Sequence, residues 1–202
     1  MDNTLVIVFC KNSLIGKVKT RLAKSIGKAE ALKVYNLIIN KTISVLKQLD
    51  HDIVVFHSDF IPNDNNWSFT KYQKVQNGKD LGSRMNKAFK WGFEVGYKNI
   101  CVVGTDLWSI EKKIFKKAFN ALKNNDVVFG PASDGGYYLL GLKKLSDSIF
   151  SIKSWGSSKV LEDSINQVDY KSSIFYLTEL NDIDTEEDIN KHNDLKVLIQ
   201  KS

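Results

Sequence analysis

Cysteine, histidine and long apolar runs are scarce in this 202-residue chain, and each shortage removes a class of protein. The two cysteines, Cys10 and Cys101, lie inside apolar strand-like runs without metal-ligand spacing, so neither a disulfide scaffold nor a zinc centre is expected. They read as buried thiols of a reducing compartment. His51, His57 and His192 have no mutual spacing suited to metal ligation or a nucleophilic triad. Ser13, Ser133 and Ser157 lack the context of a nucleophile elbow, which disfavours a hydrolase of that kind. The apolar run 5–10 stops at Lys11 and is too short for a signal peptide or a membrane span, so a cytoplasmic protein without a membrane partner is expected. There is no internal repeat, no linker and no polar low-complexity tract, which leaves one domain over residues 1–202 as the expectation.

What is present is positive charge, unevenly placed. The formal net charge is +6, and residues 1–49 alone hold nine Lys or Arg against Asp2 and Glu30. Such a field suits an anionic partner, a phosphorylated metabolite or a nucleic acid. The basic residues lack the aromatic interleaving of a single-strand-binding surface, which makes nucleic acid the less favoured of the two.

The chain is organised around 99–109, Asn-Ile-Cys-Val-Val-Gly-Thr-Asp-Leu-Trp-Ser. Four apolar residues, 100–103, suit a strand covered on both faces, and Gly104-Thr105-Asp106 ends it. Asp106 thus sits just past the C-terminal edge of a central strand, where ligands bind in open α/β sheets. A cap on the helix that starts near Ile110 is the competing role for it.

Strands are read at 5–9, 53–57, 126–129, 137–142 and 173–177, with a brief extended piece at 68–72. Helices are read at 20–26, 28–49, from about 83 to Gly96, 111–123, 157–168 and 185–199. Thr185 with Asp188 three residues on has the form of a capping box. The alternation argues for an α/β domain with a mostly parallel sheet. The two strands bracketing 130–136 form a sheet excursion rather than a βαβ unit.

Three constellations carry candidate chemistry. Gly16, Lys19, Thr20 and Arg21 form a basic loop between the first strand and a helix, where backbone N–H groups and cations can hold a di- or triphosphate. It is not a P-loop, whose glycine spacing and Lys-Ser/Thr pair are missing. Asp106, Asp134, Asp182 and Asp184 are carboxylates that can meet at one sheet edge, and facing bound phosphates they require Mg²⁺ or Mn²⁺. Gly135-Gly136 brings backbone close to a ligand. Tyr137 and Tyr138 point to opposite sides, so at most one of them faces that ligand.

Gly16-x-Val18-Lys19-Thr20-Arg21-Leu22, Asp80-Leu81-Gly82-x-Arg84-Met85, Gly104-Thr105-Asp106, Gly130-Pro131-Ala132-x-Asp134-Gly135-Gly136-Tyr137-Tyr138 and Asp182-Ile183-Asp184-Thr185-Glu186-Glu187-Asp188 together resemble the radical-SAM/selenodomain-associated transferase family. That family belongs with the nucleotide-diphospho-sugar transferases and is similar to the guanylyltransferases of 2-phospholactate and of the molybdenum cofactor. The resemblance implies a GT-A-like, Rossmann-related three-layer α/β/α sandwich. It implies that Lys19 and Arg21 hold nucleotide phosphates, that Asp106 and Asp184 are metal ligands, and that Arg84 is a further phosphate or acceptor contact. Asp134, Gly135 and Gly136 would shape the acceptor or sugar pocket. The chain departs from the family at Ser13, at Leu107-Trp108-Ser109 and at Trp155-Gly156-Ser157, and Trp108 beside Asp106 is placed to reshape the acceptor side.

The favoured expectation is glycosyl transfer from a nucleotide-diphospho-sugar to a small-molecule acceptor, dependent on Mg²⁺ or Mn²⁺, by a monomer or homodimer. Asp134 would orient or deprotonate the acceptor. The alternative within enzymes is nucleotidyl transfer from a nucleoside triphosphate to a phosphorylated acid or sugar, with release of pyrophosphate. A degenerate nucleotide- or RNA-binding module is the alternative outside enzymes.

Overall fold

The computed structural model describes residues 3–201. Seven strands, β1 (Thr4–Cys10), β2 (Asp52–His57), β3 (Tyr72–Val75), β4 (Asn99–Gly104), β5 (Val127–Pro131), β6 (Tyr137–Leu142) and β7 (Ile174–Tyr176), form one sheet. Their order is β3-β2-β1-β4-β6-β5-β7. All neighbours pair in parallel except β6, which runs antiparallel to β4 and β5. The expected mostly parallel sheet with an excursion at 130–136 is therefore present. The turn between β5 and β6 returns the chain directly, so the two strands pair and no crossover helix intervenes.

The helices are α1 (Leu22–Ile26), α2 (Lys28–Leu46), α3 (Leu81–Glu94), α4 (Lys112–Leu122), α5 (Val160–Asn166), α6 (Glu186–Asn190) and α7 (Asn193–Lys201). Alternation along β1 sorts them into layers. Val6, Val8 and Cys10 pack with Tyr35, Ile39 and Ile43 of α2 and with Phe115 and Phe119 of α4. Leu5 and Ile7 face the other way, onto Met85, Ala88 and Phe89 of α3 and the partly buried Leu161 and Ile165 of α5. Both layers are apolar because the central strands are covered on each side, which is why β1 and β4 read as unbroken hydrophobic runs. Both cysteines are free and buried, as expected, and burial pushes the Cys10 thiol up to about 11.

Two expected elements differ. The extended piece lies at Tyr72–Val75 instead of 68–72. Thr70 and Ser68 close a turn on the carbonyls of Trp67 and Asn65, and pairing with β2 begins only where Tyr72 meets Val54. The closing helix at 185–199 is two helices, α6 and α7. Ile189 and Leu195 would stand about 120° apart around a continuous helix. The break lets both enter the same cluster with Leu22, Val34 and Ile38.

The Thr185 capping box is present, with Asp188 accepting from the backbone and hydroxyl of Thr185 at 2.9 Å and from the backbone N–H of Asp184 at 3.1 Å. Burial opposes the charge of Asp188, but bonds from Asn181, Lys191, Asp184 and Thr185 outweigh it and hold the carboxyl below the usual range. A depressed folded-state pKa contributes stability that is fully present above the unfolded pKa and is lost as pH falls from there through the folded pKa. Asp188→Ala is therefore expected to cost about 1–2 kcal/mol at neutral pH, a difference that shrinks below about pH 4. Urea unfolding of both proteins across that range measures it.

Candidate active site

The site is assembled at the C-terminal edge of the sheet by pairing outside the strands. Leu107, just past β4, bridges to Asp182, and the N–H of Ile183 donates to the carbonyl of Asp106 at 3.0 Å. That contact brings a segment 76 positions away, Asp182 to Asp184, alongside Asp106. Three of the four carboxylates read from the sequence are thereby collected. Asp106 does not cap α4, whose N-cap is Glu111.

Lys19 enters this cluster from the opposite side. It is buried and holds a left-handed backbone at φ 45°, a conformation that costs a non-glycine residue about 1 kcal/mol or more. Its Nζ donates to Oδ1 of Asp106 and, at 3.3 Å, to Oδ1 of Asp184. Arg21 approaches Oδ2 of Asp184 at 3.4 Å. Burial disfavours the Lys19 ammonium, yet the charges of Asp106 and Asp184 outweigh it and keep it protonated. Burial likewise opposes the Asp106 charge, and Lys19 more than offsets that, holding the carboxyl below its usual range. Asp182 feels the Lys19 charge only at longer range, without an ion pair to it. Burial and then the Asp106 charge push it up to about 7, and its Oδ1 is buried with no hydrogen-bond partner among the described residues.

Beneath Lys19 lies Tyr35, 1% exposed, its ring 6.0 Å from Nζ. The hydroxyl donates to the Lys11 carbonyl, accepts from the Lys11 N–H and lies 3.0 Å from the Thr105 hydroxyl. It ties the loop after β1 to the loop after β4. Tyr35 lies on the buried face of α2, and its polar tip gives no signal in a hydrophobic pattern.

A cavity of about 810 Å³ opens beside the carboxylates. Arg21, Arg84, Asp106, Asp134, Gly136, Tyr137 and Tyr138 line it, and a smaller adjoining cleft is lined by Lys19, Thr20, Arg21, Asp106, Asp182 and Asp184. Arg84 is aimed by bonds to the Gly78 carbonyl at 3.0 Å and to Gln76 at 3.4 Å. The sequence contains two arginines, Arg21 and Arg84, and both lie on these walls. In a lysine-rich chain that placement was a readable signal, because arginine supplies a forked donor that lysine lacks.

Other expected residues fall elsewhere. Gly16 and Gly135 are not among the lining residues. Gly16, at φ +74°, forms a turn against the side chain of Lys28. Gly135, at φ +88°, is pressed on backbone rather than ligand, since a Cβ there would stand 2.0 Å from the Ser158 carbonyl oxygen. Gly135→Ala is expected to destabilise by about 2 kcal/mol or more through this clash and its backbone strain, readable as a lowered urea midpoint. Tyr137 and Tyr138 take opposite faces as expected, but both line the cavity. Trp108, expected to reshape the acceptor side, is not among the residues that line the cavity. It is buried against α2, α6 and α7, with Nε1 donating to Asp194 at 2.9 Å.

No three or more His, Cys, Asp or Glu among the described residues form a ready-made ion cage. What stands here is a pair of carboxylates, Asp106 and Asp184, each about one-third exposed, bridged by an ammonium, and a buried carboxyl oxygen of Asp182 without a partner. That donor set fits Mg²⁺ or Mn²⁺, which take one or two carboxylates and complete their shell with water and substrate phosphate.

This sheet order and edge site define the class of the nucleotide-diphospho-sugar transferase fold. A Desulfovibrio desulfuricans G20 protein provisionally assigned as a nucleotide-diphospho-sugar transferase superposes with a TM-score of 0.89 at 26% identity, over 100% of this chain and 95% of that one. A cytidylyltransferase from Leptospira borgpetersenii shares the fold, with a TM-score of 0.61 at 16% identity over 100% and 95% of the two chains. The chain belongs to the family described as "uncharacterized protein conserved in bacteria (DUF2064)", matched over residues 42–157. It is also 31% identical to the 2-phospho-L-lactate guanylyltransferase of Methanocaldococcus jannaschii over 157 residues, 75% of this chain and 66% of that protein. The enzyme of the same name from Methanocaldococcus vulcanius is 28% identical over 193 residues, 92% of this chain and 83% of that protein. No helix among the described residues is long and apolar enough to cross a membrane.

Proposed function

We propose that this protein is an enzyme, a nucleotidyltransferase that moves a nucleoside monophosphate from a nucleoside triphosphate to a small phosphorylated acid or sugar. Guanylyl is the favoured group, since relatives similar to this chain are named for it. The observation that carries the reading is the buried Lys19 ammonium held between Asp106 and Asp184, with Arg21 above it, at the edge of a cavity large enough for a nucleotide. A phosphate oxygen of the acceptor attacks the α-phosphorus, a new P–O–P bridge forms, the α–β bridge breaks, and pyrophosphate departs with the electron pair.

Lys19 and Arg21 neutralise the triphosphate as its charge shifts onto the leaving group. Asp106 and Asp184 would hold a divalent ion, which would supply neutralisation of phosphate charge. Arg84 holds an anionic group of either substrate, and Asp134, fixed by accepting from the Gly136 N–H at 2.9 Å, orients the acceptor. Free thiols and the absence of a spanning helix among the described residues fit a cytoplasmic enzyme, working as a monomer or homodimer.

Glycosyl transfer is the second reading, favoured by the Desulfovibrio neighbour. Incubation with α-labelled GTP, Mg²⁺ and a panel of phosphorylated acids, 2-phospho-L-lactate included, tests the first. Label is expected in a phosphatase-resistant product with one pyrophosphate released per transfer. Inert GTP together with sugar loss from GDP-sugars would establish the second reading instead.

A further inference from the structure

We propose that Trp155 is a specificity-determining residue, forming with its loop the wall that selects the group attached beyond the β-phosphate of the nucleotide. The inference rests on the nucleotide-transfer reading above. Residues 151–159 connect a 3₁₀ turn, Asp147–Phe150, to α5, and Trp155, Gly156 and Ser157 of this loop line the cavity. They stand in the half built from the β5–β6 turn, with Trp155 packed edge-on against Tyr137 at 6.5 Å between ring centroids and 75° between planes. The half after β1 and β2 holds Asn12, Ser58 and Asp59, and Asp106 lies between the two because β4 lies between β1 and β6.

The loop is seated by two glycines on different elements. A Cβ on Gly82 of α3 would stand 2.4 Å from the Phe150 carbonyl oxygen and 2.5 Å from Trp155 Nε1. A Cβ on Gly135 would stand 2.0 Å from the Ser158 carbonyl oxygen, and the Gly135 carbonyl accepts from Leu161 N–H at 2.9 Å. Both ends of the loop thus sit where only a missing side chain leaves room. The indole Nε1 is turned into the protein and finds no partner among the described residues, so the rest of the ring is what the cavity meets.

The cations Lys19 and Arg21 and the carboxylates Asp106 and Asp184 gather on the phosphate side. On the Trp155 side the cavity is lined by Tyr137, Trp155, Gly156, Ser157 and Val160, with Asp134 beside them, while the cation of α3, Arg84, is drawn toward Gln76 and the Gly78 carbonyl. Aromatic faces with one carboxylate suit a small hydroxylated carbon group, whose C–H face packs on the ring while a hydroxyl reaches Asp134. A free phosphate does not match that chemistry as well. The selected group is therefore a sugar, or a short acid that keeps a free hydroxyl, carried on a nucleoside diphosphate.

Indole ¹H–¹⁵N spectra of the four tryptophans test this, with the Trp155 signal assigned by Trp155→Phe and with GDP, GDP-mannose and the GDP ester of L-lactate, the product of guanylyl transfer to 2-phospho-L-lactate, as probes in Mg²⁺. GDP is expected to leave the Trp155 signal nearly in place, and at least one of the two extended probes to move it. Trp155→Ala is expected to bind GDP within about twofold of wild type while the extra affinity of that extended probe falls about fivefold or more. Extended probes that bind but act on Trp155 no differently from GDP, or a Trp155→Ala protein that weakens GDP equally, overturn the inference. Failure of GDP itself to bind overturns the nucleotide reading and this inference with it.

Discussion

Asp106→Asn is expected to lower kcat by about 10²- to 10³-fold, a loss of the size seen when one group that stabilises transition-state charge is removed. The substitution keeps the shape and the acceptor for Lys19, which donates to Oδ1, so the bridge to the C-terminal segment through the Asp106 carbonyl persists. What it removes is the negative charge proposed to hold a divalent ion. Stability should fall by about 1–2 kcal/mol, since the 2%-exposed Lys19 keeps the Asp184 charge at 3.3 Å and an amide oxygen in place of the Asp106 carboxylate. Steady-state kinetics and urea unfolding on one preparation separate the two effects. Wild-type turnover by the Asn variant would remove Asp106 from the chemistry.

Lys19→Met is expected to damage both fold and catalysis. The lysine side chain is 2% exposed and bridges two carboxylates, with Asp182 close behind them. Taking one partner from a fully buried ion pair costs about 3–5 kcal/mol, and about half of that is expected here because water screens the remaining carboxylates, each about one-third exposed. Part of that loss should return on adding Mg²⁺, because a divalent ion can take over the neutralisation of Asp106 and Asp184. Turnover should fall about 10²-fold or more even in saturating Mg²⁺, since the phosphate-side donor is gone. Thermal unfolding with and without Mg²⁺ measures the first effect. A stable, Mg²⁺-indifferent variant with unchanged kinetics would return Lys19 to an ordinary structural ion pair.

The sheet was legible because its strands are covered on both faces: residues 100–103 and 5–9 have no alternative but burial. Helix periodicity found α2 and α4 for the same reason. The closing helix was read too long because nothing local marks a break at Lys191; the break serves tertiary packing of Ile189 and Leu195. At the site, position past a strand end identified Asp106, and the capping box located the segment that carries Asp184. Asp182 was grouped with them, but its burial beside Asp106 depends on the Leu107 bridge, which no local pattern encodes. Gly135 shows the converse limit. A glycine needed for close approach is visible in sequence, but not whether a ligand or the Ser158 backbone approaches it.

Equilibrium binding of GTP to the wild-type protein and to Asp106→Asn, each with and without Mg²⁺, tests the central claim most directly. Wild type is expected to bind GTP more tightly in Mg²⁺, by about tenfold or more, and the variant to show little of that gain. GTP affinity that ignores Mg²⁺ in both proteins, or an equal gain in both, would contradict a nucleotide site built on Asp106.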